Sequence, residues 1–130
     1  MLSENIGYLF LCDNRTQIEC LRLRLFGLTL KSLGWVQEIK KGTSLFLYNI
    51  NSDALFGTFK ASCEGGYNIN PRAWEGRFPA QVMVEFEILH KLDSASKKFP
   101  FVRKSVCKLN AEQTKALADT LEKSQLYDVV

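Results

Sequence analysis

Four thiols, one imidazole and a scatter of aromatic and cationic side chains are the groups in this 130-residue chain with chemistry to offer. Cys12, Cys20, Cys63 and Cys107 are far apart with no CxxC pair, and His90 stands alone beside Lys91. That spacing builds no zinc site, so neither a metal nor a cofactor is expected. Nucleophilic catalysis would need His90 to serve one of the thiols, and a histidine next to a lysine at a strand end reads as a surface residue. Glu85 and Glu87 share one face of a strand and read as a solvated face rather than an acid/base pair. Neither GxxxxGK[ST] nor GxGxxG occurs. An enzyme is not expected, and the four thiols are expected to be free.

Binding chemistry is better represented. Trp35, Tyr48, Tyr67, Trp74 and Phe78 fall at or near strand ends. Aromatic faces stack on bases, at roughly 1–3 kcal/mol per base, and asparagines and backbone amides read base edges. Asp13 and Asn14 after the first strand, with Tyr67, Asn68 and Trp74 in a long loop, form a candidate ligand pocket. Arg77 is a candidate partner for a ligand phosphate or for the loop's own carbonyls. Trp74 reads two ways. As a core plug, its truncation to alanine would cost ~3–5 kcal/mol; as a pocket wall, truncation would abolish binding at little cost in stability. Between Ile88 and Lys108 there are six lysines or arginines against one acid. Lys97, Lys98, Arg103 and Lys104 are candidate phosphate contacts, the alternative being a solvated charged face.

The elements that must position these residues are short and mixed. Tyr8–Cys12 is a strand. A helix is expected over about 15–27, ending near Gly27, with Asn14-x-x-Gln17 and Thr16-x-x-Glu19 as possible capping boxes, although Leu21–Leu25 also alternates like a strand. Ser44–Ile50 and Leu55–Ser62 make a hairpin around Asn51-Ser52-Asp53. Gly65-Gly66 breaks the second strand, and Tyr67–Glu75 is loop. Gln81–Leu89 alternates, with Val82, Val84, Phe86 and Ile88 inward and Gln81, Met83, Glu85 and Glu87 outward; Phe78 keeps the inward rhythm. Pro79, which has no N–H to donate, must lie at the strand's start or edge. Asp93–Lys98 is a polar loop and Phe101–Leu109 another strand. Asn110-x-x-Gln113 opens a final helix with Leu117, Leu121 and Leu126 inward and an Asp119–Lys123 pair outward. The order gives an α+β domain whose antiparallel or mixed sheet curls into an open barrel.

With 46% hydrophobic and 24% charged residues, the composition is that of one globular domain spanning 1–130. No apolar run approaches a membrane span, and the N-terminus lacks the pattern of a signal peptide, so an intracellular location, cytoplasmic or nuclear, is expected. A net charge of +3 is too small to define a partner by itself.

Phe26-Gly27-Leu28, Leu45-Phe46-Leu47-Tyr48 and Pro79-Ala80-Gln81-Val82, with the opening Gly7–Cys12 run, stand in the order of the development and cell death (DCD) domain, which the chain resembles over nearly its whole length. Asn68–Pro71 and Gly76-Arg77-Phe78 fit as well. Thr29 stands where that family has proline, and its late PLxE motif has no counterpart here. The resemblance implies a non-enzymatic interaction module linked to stress responses and programmed cell death. More remotely, the strand–helix–hairpin order and the GRF…V strand entry resemble the YTH and PUA-like group, which implies a small open barrel flanked by two main helices, and RNA binding, in some members through an aromatic cage for a modified base. No cage tryptophan stands at Phe26-Gly27-Leu28. Two functions follow: an RNA-binding module with an aromatic-lined pocket, or a protein-interaction or oligomerising adaptor.

Overall fold

The computed structural model describes residues 6–104 and 108–129. Its nine strands form one curled mixed sheet. The central pair is β1 (Gly7–Cys12) and β3 (Ser44–Asn49), which run parallel in the register Tyr8↔Leu45 to Cys12↔Asn49. β1 is apolar throughout because both of its faces are covered. Tyr8, Phe10 and Cys12 point into the curl, while Leu9 packs on the outer face with Phe46, Tyr48 and the last helix. Each fully buried side chain of this kind contributes about 1.5–3 kcal/mol relative to exposure.

β3 turns through 50–53 into β4 (Ala54–Ala61), forming the expected hairpin with a register shift between Leu45 and Leu47. Such an irregularity bends the ladder. The other edge of β4 is divided. Its N-terminal half pairs with β7 (His90–Leu92) and its last two residues with β6 (Ala80–Glu85). The division folds the sheet over, and β6 carries β2 (Leu25–Leu28) and β5 (Gly66–Tyr67) onward from it. β2 ends the strand order, and its outer edge pairs with no strand among the described residues. The barrel is therefore open along a seam between β2 and the C-terminal half of β1.

The expected helix over 15–27 divides in two. α1 covers Gln17–Leu23 and stops at Arg24, which adopts a left-handed conformation (φ 52°). Leu25–Leu28 then becomes β2, so the two-residue alternation prevails where β6 supplies a partner. A short helix α2 (Leu33–Val36) completes the crossover to β3. Phe101–Leu109 is not one strand. Pro100–Arg103 is a 3₁₀ turn following the short helix α3 (Ala95–Lys98), and only Lys108–Leu109 (β8) pairs with β1.

α4 (Ala111–Glu122) has the anticipated box: the Asn110 side chain accepts from the Gln113 N–H at 2.7 Å, and the Gln113 side chain accepts from the Asn110 N–H at 3.0 Å. Leu117 and Leu121 are buried. Asp119 pairs with Lys115 one turn earlier, at 2.8 Å, instead of with Lys123. Leu126 lies in β9 (Gln125–Leu126) at 69% exposure rather than inward. Along β6, Val82 and Val84 are buried, but Ile88 beyond its end is 64% exposed and Gln81 is buried. Pro79 immediately precedes β6, as its missing N–H requires. Cys12, Cys20 and Cys63 are free thiols, and Cys107 lies outside the described residues.

Candidate functional site

The seam brings Asp13 and Trp74 of the sequence-derived pocket residues together, and local hydrogen bonding fixes it. Asp13 ends β1 with a reciprocal cap. Its carboxylate accepts from the N–H groups of Arg15 (2.9 Å) and Thr16 (3.0 Å), while Thr16 Oγ1 accepts from the Asp13 N–H at 3.1 Å. This box starts one residue before the anticipated Asn14-x-x-Gln17 and three before Thr16-x-x-Glu19, and it leaves Asn14, Gln17 and Glu19 for other tasks. Asn49, buried at the end of β3, takes two of them. Its Nδ2 donates to Asn14 Oδ1 (3.0 Å) and Gln17 Oε1 (2.6 Å), and its Oδ1 accepts from the N–H groups of Asn51 and Ser52. Glu19 reaches across the seam and accepts the backbone N–H of Trp74 at 2.9 Å.

The loop carrying Trp74 is held from below by Gln81. Gln81 Oε1 accepts from the Asn70 N–H at 2.7 Å, and Nε2 donates to the carbonyls of Asn70 (3.1 Å) and Phe78 (3.0 Å). Burying this amide is tolerable because it is hydrogen-bonded. Asn68, at φ 56°, donates its N–H to the Pro79 carbonyl. Trp74, Glu75 and Gly76 have φ of 50°, 56° and 81°. Only the glycine adopts this region freely; each of the other two costs roughly 1–2 kcal/mol. Arg77 Nε donates to the Trp74 carbonyl at 3.1 Å, so the arginine serves the loop's own backbone.

The strained turn drives the Trp74 ring inward, to 3% exposure. It meets Phe78 edge-on, with centroids 5.8 Å apart, and fills the space above Gly27. A Cβ on Gly27 would lie 2.4 Å from the indole, so the glycine makes room for the ring. The indole N–H is buried and has no hydrogen-bond partner among the described residues, a deficit of about 1–3 kcal/mol.

Beside this ring is a cavity of about 150 Å³, walled by Leu11, Cys12 and Asp13 of the β1 end, Thr16 and Cys20 of the α1 segment, Gly27 and Leu28 of β2, Ile50, Trp74 and Phe78. An apolar cavity of this order accepts a benzene-sized ring. Trp74 is thus buried like a core residue and also walls a cavity. Its burial contradicts the expectation of a low-cost truncation. Of the other pocket residues, Asp13 lines the cavity, and Asn14 lies next to it in the Asn49 network. Tyr67 is 60% exposed on β5, and neither it, Asn68 nor Arg77 is a wall.

The sequence reading missed Gln81, Asn49, Gly27 and the cysteine walls. An asparagine closing the apolar run LFLY was the available signal for Asn49. Desolvation pushes the Asp13 carboxyl up, but hydrogen bonds from Thr16 and Arg15 outweigh it and hold the pKa below the usual value. Burial pushes the Cys12 thiol up strongly and the Cys20 thiol to about 12, so both stay protonated and inert at neutral pH. No lysine or arginine lines the cavity. It suits an uncharged ring and repels phosphate.

The cationic candidates stand on the neighbouring segment. Lys97 and Lys98 end α3, Arg103 ends the following turn and Lys104 comes next; all four are exposed and none forms an ion pair among the described residues. Asp53 anchors this segment to the β3–β4 turn. Its carboxylate accepts from Tyr48 Oη (2.6 Å), Ser96 N–H (3.0 Å) and Ser96 Oγ (2.7 Å), and its carbonyl accepts from the Ala95 N–H. Burial and this carboxylate push the Tyr48 phenol up to about 12. The same turn holds Asn51, which accepts the Asn14 N–H at 2.8 Å, so one short turn ties the cleft to the basic segment. Among the described residues there is no cluster of three metal-ligating side chains, and no helix is long and apolar enough to cross a membrane.

This geometry has known counterparts. Two YTH-domain structures share the fold: the YTH domain-containing protein mmi1 in an RNA complex (TM-score 0.69, 14% identity, 93% of this chain and 87% of that one) and the YTH domain of Zygosaccharomyces rouxii MRB1 protein in complex with N6-methyladenosine RNA (TM-score 0.62, 13% identity, 93% and 90%). The class is thus a YTH-like half-barrel. Residues 6–128 match the model of the Development and cell death domain, and the chain belongs to that family. It is 46% identical over 85 residues to the DCD domain-containing protein NRP-B of Glycine max (60% of this chain, 26% of that protein). Identity is also 46% over 85 residues to B2 protein of Daucus carota (60% and 41%). The matched stretch spans less than half of either relative.

Proposed function

We propose that this domain is a non-enzymatic, intracellular RNA-binding module that takes one unpaired base into the cleft beside Trp74 and rests the adjoining phosphates on Lys97, Lys98, Arg103 and Lys104. The observation that carries the reading is the cavity of about 150 Å³ at the open seam, with an aromatic wall and the polar groups of Asp13 and Thr16 at its rim. A concave site with a few convergent polar groups is how small rings are held. The RNA-bound neighbours of the same fold support the choice of ligand, and one of them holds N6-methyladenosine RNA. A methylated adenine is therefore the first modified base to test. Asp53 and Asn51 support the joint use of cleft and basic segment, because they hold the two to one turn.

Binding of an RNA pool, with and without N6-methyladenosine and at two salt concentrations, tests this directly. Ile50 lines the cleft yet is 52% exposed, so Ile50→Trp should block the cavity without disturbing the core. Expected are unchanged thermal stability and loss of RNA binding. Undiminished binding by a folded Ile50→Trp protein would remove the cleft from the interaction, and capture of a protein partner with no RNA affinity would favour the adaptor reading.

A further inference from the structure

A second concavity lies at the opposite end of the parallel strands. It has a volume of about 580 Å³ and is bounded by Ile6, by the turn and strand start Lys41–Ser44, by Lys60 of β4 and by Ala111, Thr114, Lys115 and Ala118 of α4. Three features separate it from an ordinary solvated surface. Three lysines on three different elements border one hollow, and no aspartate or glutamate is among its walls in the described residues. Lys41 has no ion-pair or hydrogen-bond partner among the described residues, and Lys60 Nζ bonds only to Ser44 Oγ, at 2.9 Å. Since Ser44 accepts from that ammonium, its own hydroxyl keeps a proton to donate. Ile6, Ala111 and Ala118 add an apolar wall. The volume falls within the few hundred to a thousand Å³ typical of small-molecule sites.

We propose that this groove is an anion site for a small organic molecule carrying two or more phosphate groups, independent of the Trp74 cleft. Lysine binds phosphate as a point charge, and ammonium groups on separate elements call for negative charge at more than one position. The apolar wall would receive the body of the molecule. Lys115, already paired with Asp119 at 2.8 Å, would act as the outer rim, with Lys41 and Lys60 as the main contacts.

The test is calorimetric titration of the protein with inorganic tripolyphosphate and with adenosine triphosphate, against sulfate at matched ionic strength. Lys41→Ala/Lys60→Ala is compared with Lys97→Ala/Lys98→Ala. All four side chains are exposed, so both variants should fold. The expected result is saturable binding of both phosphate compounds, weakened about tenfold or more by the first pair and changed less than about twofold by the second. No saturable binding to the wild type, or equal losses in the two variants, would overturn the proposal. So would a first pair that loses RNA affinity while triphosphate affinity holds, because the groove would then belong to a nucleic-acid track. RNA binding at the cleft is read separately through Ile50→Trp, and its failure leaves this result intact.

Discussion

β1 and β3 run parallel, and their two ends have opposite characters. At the C-terminal ends the walls are Asp13, two protonated thiols, a tryptophan and a phenylalanine, with no cation among them. At the N-terminal ends they include three lysines and three hydroxyls, with no carboxylate among the described residues. The first end is knitted by buried amides and carries two non-glycine residues in the left-handed region; the second is wide, and its only positive-φ wall among the described residues is Gly42. The left-handed non-glycine backbone lies where a ring would be gripped, and among the described residues none lines the end where only charge would be attracted. Shape selection requires a rigid, paired surround, whereas lysine attraction tolerates flexible arms.

The largest effect that could break this contrast is on stability. Trp74→Ala removes a ring at 3% exposure and should cost ~3–5 kcal/mol, read as a lower urea midpoint. A loss below about 1 kcal/mol would mean the ring is not the plug its burial indicates. Next is Gly27→Val. The new side chain meets the indole and the Phe78 carbonyl, the latter already 2.9 Å from a Cβ. Overpacking of this kind costs roughly 1–3 kcal/mol, and tryptophan emission should shift red as the ring is evicted.

Acid sensitivity should also map to the cleft end. Asp13 and Asp53 both have lowered pKa values, desolvation being outweighed by hydrogen bonds from Thr16 and Arg15 and from Tyr48 and Ser96 respectively. A carboxyl with a depressed folded pKa contributes stability above its unfolded value, near 3.9, and loses that contribution as pH falls through the folded value. The melting temperature should therefore drop below about pH 4, and Asp13→Asn/Asp53→Asn should flatten that acid limb. Lys41→Ala/Lys60→Ala should leave its shape unchanged. A double aspartate variant with the wild-type acid limb would refute the assignment.

The smallest stability effects belong to the exposed cations, within about 0.5 kcal/mol. Their signature is in salt dependence. If Lys97 and Lys98 both contact phosphate, their replacement by alanine should reduce the RNA salt slope by up to about 1.4, at roughly 0.7 per phosphate. An unchanged slope in a protein that binds RNA would place the phosphates elsewhere.

What could be read from the chain follows from how local each signal is. The Asn110/Gln113 box, the hairpin over 51–53 and the position of Pro79 depend on a few neighbouring residues, and all three are present. The stretch Leu21–Leu28 satisfies both a helical and a strand period; its division at Arg24 depends on β6, more than fifty residues later, offering an edge. Lys108–Leu109 is a strand only because the β1 edge is there to receive it. The cleft was half visible. Asp13 and Trp74 had the right chemistry, but the walls Gly27 and Ile50 declare nothing by type and acquire a role only because the seam does not close. Gln81 looked outward by parity, and its burial follows from the loop folding over it.

The unpartnered indole N–H of Trp74 also supplies the molecule with its own spectroscopic reporter. A proton sheltered from water but not deshielded by an acceptor gives a slowly exchanging NMR signal upfield of an ordinary hydrogen-bonded indole. The chain has one other tryptophan, Trp35, stacked on Tyr8 at 5.4 Å and tilted against Phe10 at 5.3 Å, so assignment needs a single substitution. A ligand in the cleft that offers an acceptor would pull the Trp74 peak downfield, while one held only by the lysines at the other end of the strands would leave it in place.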